Sequence, residues 1–219
     1  MLRGDFHMHT HFSHDCLTSP EALVQRAQDV GLTLIAVTDH NSVRGGLAAK
    51  KTASIPVIVG EEVKSTEGEI TGLFLEDEVP AGLTPLETVK RIKQQGALVS
   101  IPHPFAGLGR SSMSRSAVEE ILPYVDIVEA FNARTHARSI NAEARAFAAE
   151  RGIAVTAVSD AHTVGELGRA YTELLDFDGT PEGFKRALAG ATLIERPASR
   201  FVHVASTVNK LRHRFRRTP

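Results

Sequence analysis

The sequence predicts an α/β fold, because apolar runs of strand length alternate with amphipathic stretches along the chain. Five such runs, rich in valine, isoleucine and alanine, cover residues 34–38, 56–59, 97–101, 125–131 and 153–158. Continuous runs of this kind are typical of strands covered on both faces, as in parallel sheets. Residues 2–9 are a further candidate strand, and 70–75 and 171–175 are weaker ones. The strand–helix order recurs about seven times, so we expect a barrel or a doubly wound sheet.

Helix starts are marked by a hydroxyl residue followed by proline, which supplies a cap and a preset first turn. The three pairs are Ser19-Pro20, Thr84-Pro85 and Thr180-Pro181. Thr84 and Glu87 also have the spacing of a capping box. Residues 137–151 are predicted to form a helix with one apolar face, made by Ile140, Ala144, Phe147 and Ala148.

Charge divides the chain into two parts. The 219 residues carry 25 Lys and Arg against 26 Asp and Glu, a net charge of −1. Seven of the positive charges follow Glu195, where no acid occurs, so residues 1–195 carry −8. We therefore expect one catalytic domain over 1–195 and a basic tail over 196–219. Phe201, Val204, Val208, Leu211 and Phe215 predict that this tail is an amphipathic helix.

Several classes of protein are excluded by composition. The single cysteine, Cys16, excludes a disulfide framework and a zinc site built from cysteines, and it is expected to pack as a small apolar residue. No apolar run approaches the roughly 20 residues of a membrane span, and the polar N-terminal residues do not resemble a signal peptide. We expect a cytoplasmic protein without a membrane partner.

Histidines and carboxylates follow the predicted strands at the point where each strand ends. His7 and His9 lie two apart, so both point to one face of the first strand. The later groups are Asp39-His40, Glu61-Glu62, His103 and Asp160 with His162. The C-terminal ends of barrel strands carry active sites, and imidazole and carboxylate groups are ligands for Zn, Mn or Fe. Because burying so many polar groups is costly without partners, the pattern predicts a multinuclear metal site.

Each group also has a purely structural explanation. A pair like His7 and His9 is common on strand surfaces, and an Asp-His pair after a strand often forms a turn or caps a helix. His103, between two prolines, could have a purely structural role, and Glu61 could be a solvent-exposed residue at the end of a strand. Only the joint pattern favours metal.

Five segments carry a family resemblance, and they occur in a fixed order. They are Asp5-Phe6-His7-Met8-His9-Thr10-His11-Phe12-Ser13, Thr38-Asp39-His40, Gly60-Glu61, His103-Pro104 and Ser159-Asp160-Ala161-His162. This set resembles the motifs of the PHP (polymerase and histidinol phosphatase) family over residues 1–195. The resemblance implies a distorted seven-stranded β/α barrel with two or three metals at its C-terminal rim. Family members are mostly phosphoesterases: histidinol-phosphate phosphatases, nucleotide phosphatases, 5′–3′ exonucleases and editing domains of bacterial replicative polymerases.

The resemblance also implies a ligand set. His7, His9, Glu61 and Asp160 would hold one metal; Glu61 would bridge to a second, shared with His103; and Asp15, His40 and His162 would hold a third. Trinuclear relatives usually have another histidine shortly after the bridging glutamate, and here Glu69 stands at its place. Glu69 is then either an oxygen ligand, which favours Mn or Fe, or an exposed hairpin residue. Asp39 is expected to support the ligands rather than to bind metal.

The site would hydrolyse a phosphoester through a metal-activated hydroxide. Besides Glu61 and Asp160, the catalytic candidates are Arg134 and Arg169 as phosphate-binding cations, each alternatively a surface charge, and His136 as proton donor or helix start. Arg110 is a weaker cation candidate.

Three functions remain open on sequence grounds. The leading hypothesis is a phosphatase for a small phosphomonoester, with a nucleotide as one candidate. The second is a 5′–3′ exonuclease on short RNA or DNA, and the third is a metal-binding regulatory module without turnover. The basic tail either packs on the barrel or contacts nucleic acid. The low aromatic content, 5%, disfavours base-stacking platforms.

Overall fold

The architecture is an α/β barrel built on one nine-stranded sheet, as a computed structural model shows for residues 1–107, 112–199, 202, 207 and 209. The strands are β1 (Leu2–Asp5), β2 (Leu34–Val37), β3 (Val57–Ser65), β4 (Gly68–Leu73), β5 (Leu98–Ile101), β6 (Ile127–Asn132), β7 (Ala154–Val158), β8 (Tyr171–Leu174) and β9 (Thr192–Ile194). The helices are α1 (Pro20–Asp29), α2 (Arg44–Thr52), α3 (Pro85–Gln94), α4 (Arg115–Ile121), α5 (Arg138–Arg151) and α6 (Pro181–Leu188).

The sheet runs in the order β7-β6-β5-β4-β3-β2-β1-β8-β9. Two parallel groups, β1 to β3 and β5 to β7, are joined by the hairpin strand β4, which is antiparallel to both of its neighbours. β8 and β9 continue the sheet beyond β1 in antiparallel pairs. The sheet closes where its end strand β7 meets β8: the Thr172 hydroxyl of β8 accepts from Ala157 N of β7 at 2.9 Å and lies 3.2 Å from Ala157 O.

The barrel, rather than the doubly wound sheet, is therefore confirmed. The number of strands differs from the seven that the resemblance implies. The three-residue strand β9 is too short to produce a periodic sequence signal, and the strand at residues 70–75 is one half of the β3–β4 hairpin.

One core cluster explains why the sheet closes. It joins Leu34 and Ala36 of β2 with apolar residues from β3 to β8, a set that can meet only inside a barrel: Ile58, Leu73, Leu98, Ile127, Val158 and Leu174. Phe184 of α6 packs edge-on against Phe6 in the same cluster, with ring centroids 4.8 Å apart. Alternate residues of β2, Ile35 and Val37, face outward onto α1 and α2.

The expected helix signals are present. Ser19, Thr84 and Thr180 cap α1, α3 and α6 through their side chains, and Thr84 forms the capping box with Glu87. Gly152 ends α5 in the left-handed conformation, φ 63°.

The apolar residues predicted for the tail helix, 201, 204, 208, 211 and 215, lie outside the described residues. In the part of the chain that the structure describes, no helix combines the length and apolarity needed to cross a bilayer.

Candidate metal centre

The C-terminal ends of the parallel strands converge on one rim, and two isolated bridges tie them together there. Met8 pairs with Ala161, and His40 pairs with Glu62, both in parallel sense. The first bridge joins the segments after β1 and β7, and the second joins the segment after β2 to β3. The polar groups that the sequence places after different strands therefore meet in one buried cluster.

Glu62 lies at the middle of this cluster. Its Oε2 is 3.0 Å from His40 Nδ1, 3.3 Å from His7 Nε2 and 3.6 Å from His9 Nε2. Its Oε1 is 3.0 Å from His103 Nε2. One carboxylate thus contacts four imidazoles from three different segments, which is the arrangement expected of a group that bridges metals.

Asp160 and Asp15 extend the cluster on either side. Asp160 Oδ1 lies 3.6 Å from His9 Nε2 and 3.8 Å from His7 Nε2. Asp15 Oδ2 lies 3.3 Å from His162 Nε2 and 3.5 Å from His40 Nε2. The Asp15 group matches the third ligand set that the resemblance implies.

Glu69 joins the cluster from the hairpin strand β4. Its Oε1 is 3.7 Å from His40 Nδ1 and its Oε2 is 3.6 Å from His103 Nε2. Of the two alternatives for this residue, the exposed hairpin position does not hold, because Glu69 is only 9% exposed. Burial, reinforced by the charge of Glu62, raises its pKa to about 7.

Glu61, to which the resemblance gave the bridging role, is not part of the cluster: Glu62, not Glu61, contacts the imidazoles. Successive residues of a strand face opposite sides, so only one of the two glutamates can face the imidazoles. Glu61 instead accepts a hydrogen bond from Val79 N at 2.8 Å, and burial raises its pKa to about 8. The register of β3 with β4 decides the question, because it pairs Lys64 with Glu69 and so puts Glu62, Lys64 and Glu69 on one face.

A second layer of side chains fixes the orientation of the imidazoles. Glu129 Oε1 holds His7 Nδ1 at 2.6 Å, so the other ring nitrogen of His7 points to Glu62. Ser13 Oγ lies 3.1 Å from His9 Nδ1, accepts from His40 N at 2.9 Å and donates to Asp39 Oδ1 at 2.7 Å. Asp39 therefore supports the ligands, as expected. Such partners are typical of metal-ligating histidines.

Glu129 was not expected from the sequence. It lies inside the apolar strand β6, and a bulge between Glu129 and Phe131 shifts the register there. Its second oxygen accepts from His103 N at 2.7 Å and from Asn132 Nδ2 at 3.0 Å. Asn132 Nδ2 also donates to Asp160 Oδ2 at 3.2 Å, so one network connects the ends of four strands.

Charge in the cluster is balanced by the imidazoles and carboxylates themselves. Burial lowers the pKa of His7, but neighbouring carboxylates, chiefly Glu129 and Glu62, outweigh it and hold that pKa well above its usual range. Burial raises the pKa of Glu62, but His7 and His40 outweigh it and hold that pKa well below its usual range. Burial and the adjacent imidazoles keep the pKa of His9 well below its usual range.

The donor set fits metal ions. Neighbouring nitrogen and oxygen atoms of the cluster lie between 3.0 and 3.8 Å apart. Two ligands at about 2.1 Å from one ion are about 3.0 Å apart at right angles and about 3.4 Å apart at the tetrahedral angle. Mixed imidazole and carboxylate donors suit Zn, Mn or Fe, so the residues present can hold such ions without large movement.

Comparisons with known proteins bear on the family and the fold. The PHP-associated family model matches residues 138–192. Two uncharacterized proteins of Methanocaldococcus jannaschii are similar in sequence. The first is 36% identical over 145 residues, 60% of this chain and 82% of that protein. The second is 34% identical over 180 residues, 81% of this chain and 72% of that protein.

Solved structures resemble the barrel as well. A two-domain protein from Bacteroides vulgatus, containing a predicted PHP-like metal-dependent phosphoesterase, has a TM-score of 0.73 at 19% identity over 89% of this chain. On the family-model match and the sequence relatives, the chain belongs to the PHP family. It spans 65% of the length of the Bacteroides protein. A lesion-specific endonuclease from Pyrococcus furiosus is also similar in structure, with a TM-score of 0.59 at 17% identity over 88% of this chain and 57% of that one.

Two residues of the cluster have a left-handed backbone conformation. His103 has φ 28° and Asp160 has φ 54°, and positive φ values of this kind are disfavoured for residues other than glycine. Both follow the ends of parallel strands, and the backbone conformation turns their side chains into the cluster. Such backbone strain is concentrated at functional sites.

Of the arginines predicted to bind phosphate, those that the structure describes are not placed at the cluster with a side chain open to solvent. Arg134 is 3% exposed and contacts His162 and the Asp160 carbonyl rather than solvent. Arg169 is exposed and His136 half-buried, and the described contacts of the cluster include neither of them. Arg110 lies outside the described residues. The catalytic roles assigned to these residues remain predictions.

Two residues at the mouth were not singled out from the sequence. The His14 side chain is 60% exposed and lies 3.9 Å from Asp15 Oδ2. Lys64 is exposed and, two residues after Glu62, faces the same side of β3. Strand alternation after Glu62 is the signal that would have found Lys64.

Proposed function

We propose that this PHP protein hydrolyses a small phosphomonoester, with a nucleotide as one candidate, at the centre built around Glu62. The observation that carries the proposal is the contact of one buried carboxylate with four imidazoles. Divalent ions bound there would acidify water and neutralise the charge of phosphate oxygens. Family membership supports phosphoester chemistry.

The chain offers ligands for two or three ions of Mn, Zn or Fe. The assignment follows the contacts: His7, His9, Glu62 and Asp160 for the first; Glu62, Glu69 and His103 for the second; Asp15, His40 and His162 for the third. Glu69 adds an oxygen donor, which favours Mn or Fe at the second position.

Substrate is held by the chain's own cations at the mouth. The −8 charge of residues 1–195 opposes an anion, so a local positive group is needed. Lys64 is exposed on the same strand face as Glu62 and has a flexible stem, which suits contact with phosphate. His14 lies beside Asp15 at the same entrance.

The short connections leave the site open, which suits a small phosphomonoester and also the end of an oligonucleotide. Between Glu62 and His103 the chain is used by the end of β3, by β4, α3 and β5. This stretch leaves no residues for a separate lid domain.

A nuclease activity is the second candidate, supported by the likeness to the Pyrococcus endonuclease and by the seven positive charges after Glu195. If the tail grips a nucleic-acid backbone, cleavage of an oligonucleotide should weaken with salt. Glutamine at four tail positions should then lower the salt slope by about one unit per lost phosphate contact. The four positions are Arg212, Arg214, Arg216 and Arg217.

The test is release of phosphate from a panel of phosphomonoesters and short 5′-phosphorylated oligonucleotides, with Mn, Zn and Fe compared. We expect turnover of a phosphomonoester and little cleavage of the oligonucleotides. Lys64→Ala should raise KM, whereas Lys50→Ala, on the exposed face of α2, should not. Selective cleavage of oligonucleotides would favour the nuclease, and metal binding without any turnover would favour a regulatory module.

A further inference from the structure

Arg134 lies between the metal centre and the C-terminal segment, which we define as residues 196–199 and 202. Its Nη1 contacts His162 Nδ1 and lies 3.4 Å from Asp160 O. On its other side, Nη2 donates to Val202 O at 3.2 Å. One guanidinium therefore contacts two candidate metal ligands and the C-terminal segment.

The C-terminal segment is anchored beside Arg134. Ala198 N donates to Ala133 O at 2.8 Å. The Ala198 side chain is 7% exposed and packs in a small apolar cluster with Phe131 and Ala170. The segment thus covers the guanidinium from the side opposite the metal centre.

We propose that Arg134 is a positioning residue for Asp160 and His162, and that the C-terminal segment holds Arg134 in place. The Asp160 carbonyl accepts from Arg134 Nη1 and lies 2.9 Å from His162 Nδ1, which donates to it, so the carbonyl that Arg134 holds also fixes the His162 ring. His162 Nε2 then points to Asp15 Oδ2 at 3.3 Å. Contact with Asp160 O fixes the turn that carries the Asp160 carboxylate. This inference rests on the proposed metal centre.

Burial and charge argue against the role of phosphate-binding cation for Arg134. The residue is 3% exposed, and its Nε lies 3.5 Å from Glu166 Oε2. Glu166 is itself buried and accepts from His162 N at 3.2 Å. The guanidinium is thus neutralised within the fold and its donors are directed at protein groups, whereas a phosphate needs an accessible donor fork.

The experiment is a titration of the metal-free full chain with Mn²⁺, followed by kinetics at saturating Mn²⁺. We expect Arg134→Met to lower Mn²⁺ affinity by about 10- to 100-fold, the usual cost of losing a group that orients ligands. Arg134→Lys, which keeps the charge but not the fork, should lie between Arg134→Met and wild type. Saturating Mn²⁺ should restore kcat with KM unchanged.

A phosphate-binding role would instead leave Mn²⁺ affinity intact and raise KM, and that result would overturn the inference. If wild type itself binds no Mn²⁺, Zn²⁺ or Fe²⁺, the metal centre fails first, which is seen before any variant is made.

A second pair of variants tests the segment without touching Arg134. Ala198→Glu places a charged side chain in the apolar cluster and should displace the segment. It should lower Mn²⁺ affinity in the same direction as Arg134→Met. Arg196→Glu changes charge more, but at an exposed position, and should leave affinity unchanged. Equal affinity in Ala198→Glu and wild type would show that the segment does not hold Arg134.

Discussion

Replacing Glu62 by glutamine should remove most metal binding and activity. The Glu62 oxygens lie between 3.0 and 3.6 Å from the ring nitrogens of His7, His9, His40 and His103. In glutamine an NH2 group replaces one of these oxygens. This group is a hydrogen-bond donor, so it cannot ligate a metal and it repels a cation beside it. Either the contact with His103 or the three contacts of the other oxygen are lost.

The magnitude follows from these contacts. Loss of a group that merely orients a ligand costs about 10- to 100-fold in metal affinity. Glu62 is itself placed to bind two ions, so we expect at least the upper end, about 100-fold or 2.7 kcal/mol. Turnover should fall by at least a similar factor. Elemental analysis after dialysis measures the metal, and phosphate release measures turnover.

Glu61→Gln is the matched control. Its side chain faces away from the cluster, and a pKa of about 8 keeps it largely protonated at pH 7, so glutamine resembles it in shape and charge. Metal content and turnover should stay at the wild-type level. If Glu61→Gln loses metal while Glu62→Gln keeps it, the strand register underlying the centre is wrong.

Three further changes probe the support of the site and of the fold. Ser13→Ala removes the link from His9 to Asp39 and should lower metal affinity about 10- to 100-fold, as titration would show, with the fold intact by circular dichroism. Thr84→Ala removes the capping box and should lower the free energy of unfolding by about 1 kcal/mol in urea titrations. Because Thr84 lowers the pKa of Glu87, the cap contributes above the ordinary carboxyl pKa, and this contribution is lost as pH falls. The difference in free energy of unfolding between wild type and Thr84→Ala should therefore become smaller at acid pH. Chelation should lower Tm by about 5–11 °C, because metal at 100 times its Kd stabilises by about 2.7 kcal/mol, and Mn²⁺ should restore it.

Local signals made the elements predictable. The caps at Ser19, Thr84 and Thr180 depend only on neighbouring residues, and each begins a helix where expected. Strand β9 was missed, because its three residues gain their structure from pairing with β8 rather than from their own pattern.

The site was predictable in position but not in every residue. Strand ends placed the histidines correctly, since parallel strands bring their ends to one rim. The choice between Glu61 and Glu62 depends on which face of β3 meets the barrel interior, and this is set by pairing across the hairpin. The burial of Arg134 depends on a segment far along the chain, so no local pattern reveals it.

The most direct test of the central claim is an anomalous difference map from crystals grown with Mn²⁺, measured above and below the manganese edge. We expect at least two peaks, with Glu62 oxygens at about 2.0–2.2 Å from two of them. Peaks remote from Glu62, or none at full Mn²⁺ occupancy in solution, would contradict this claim.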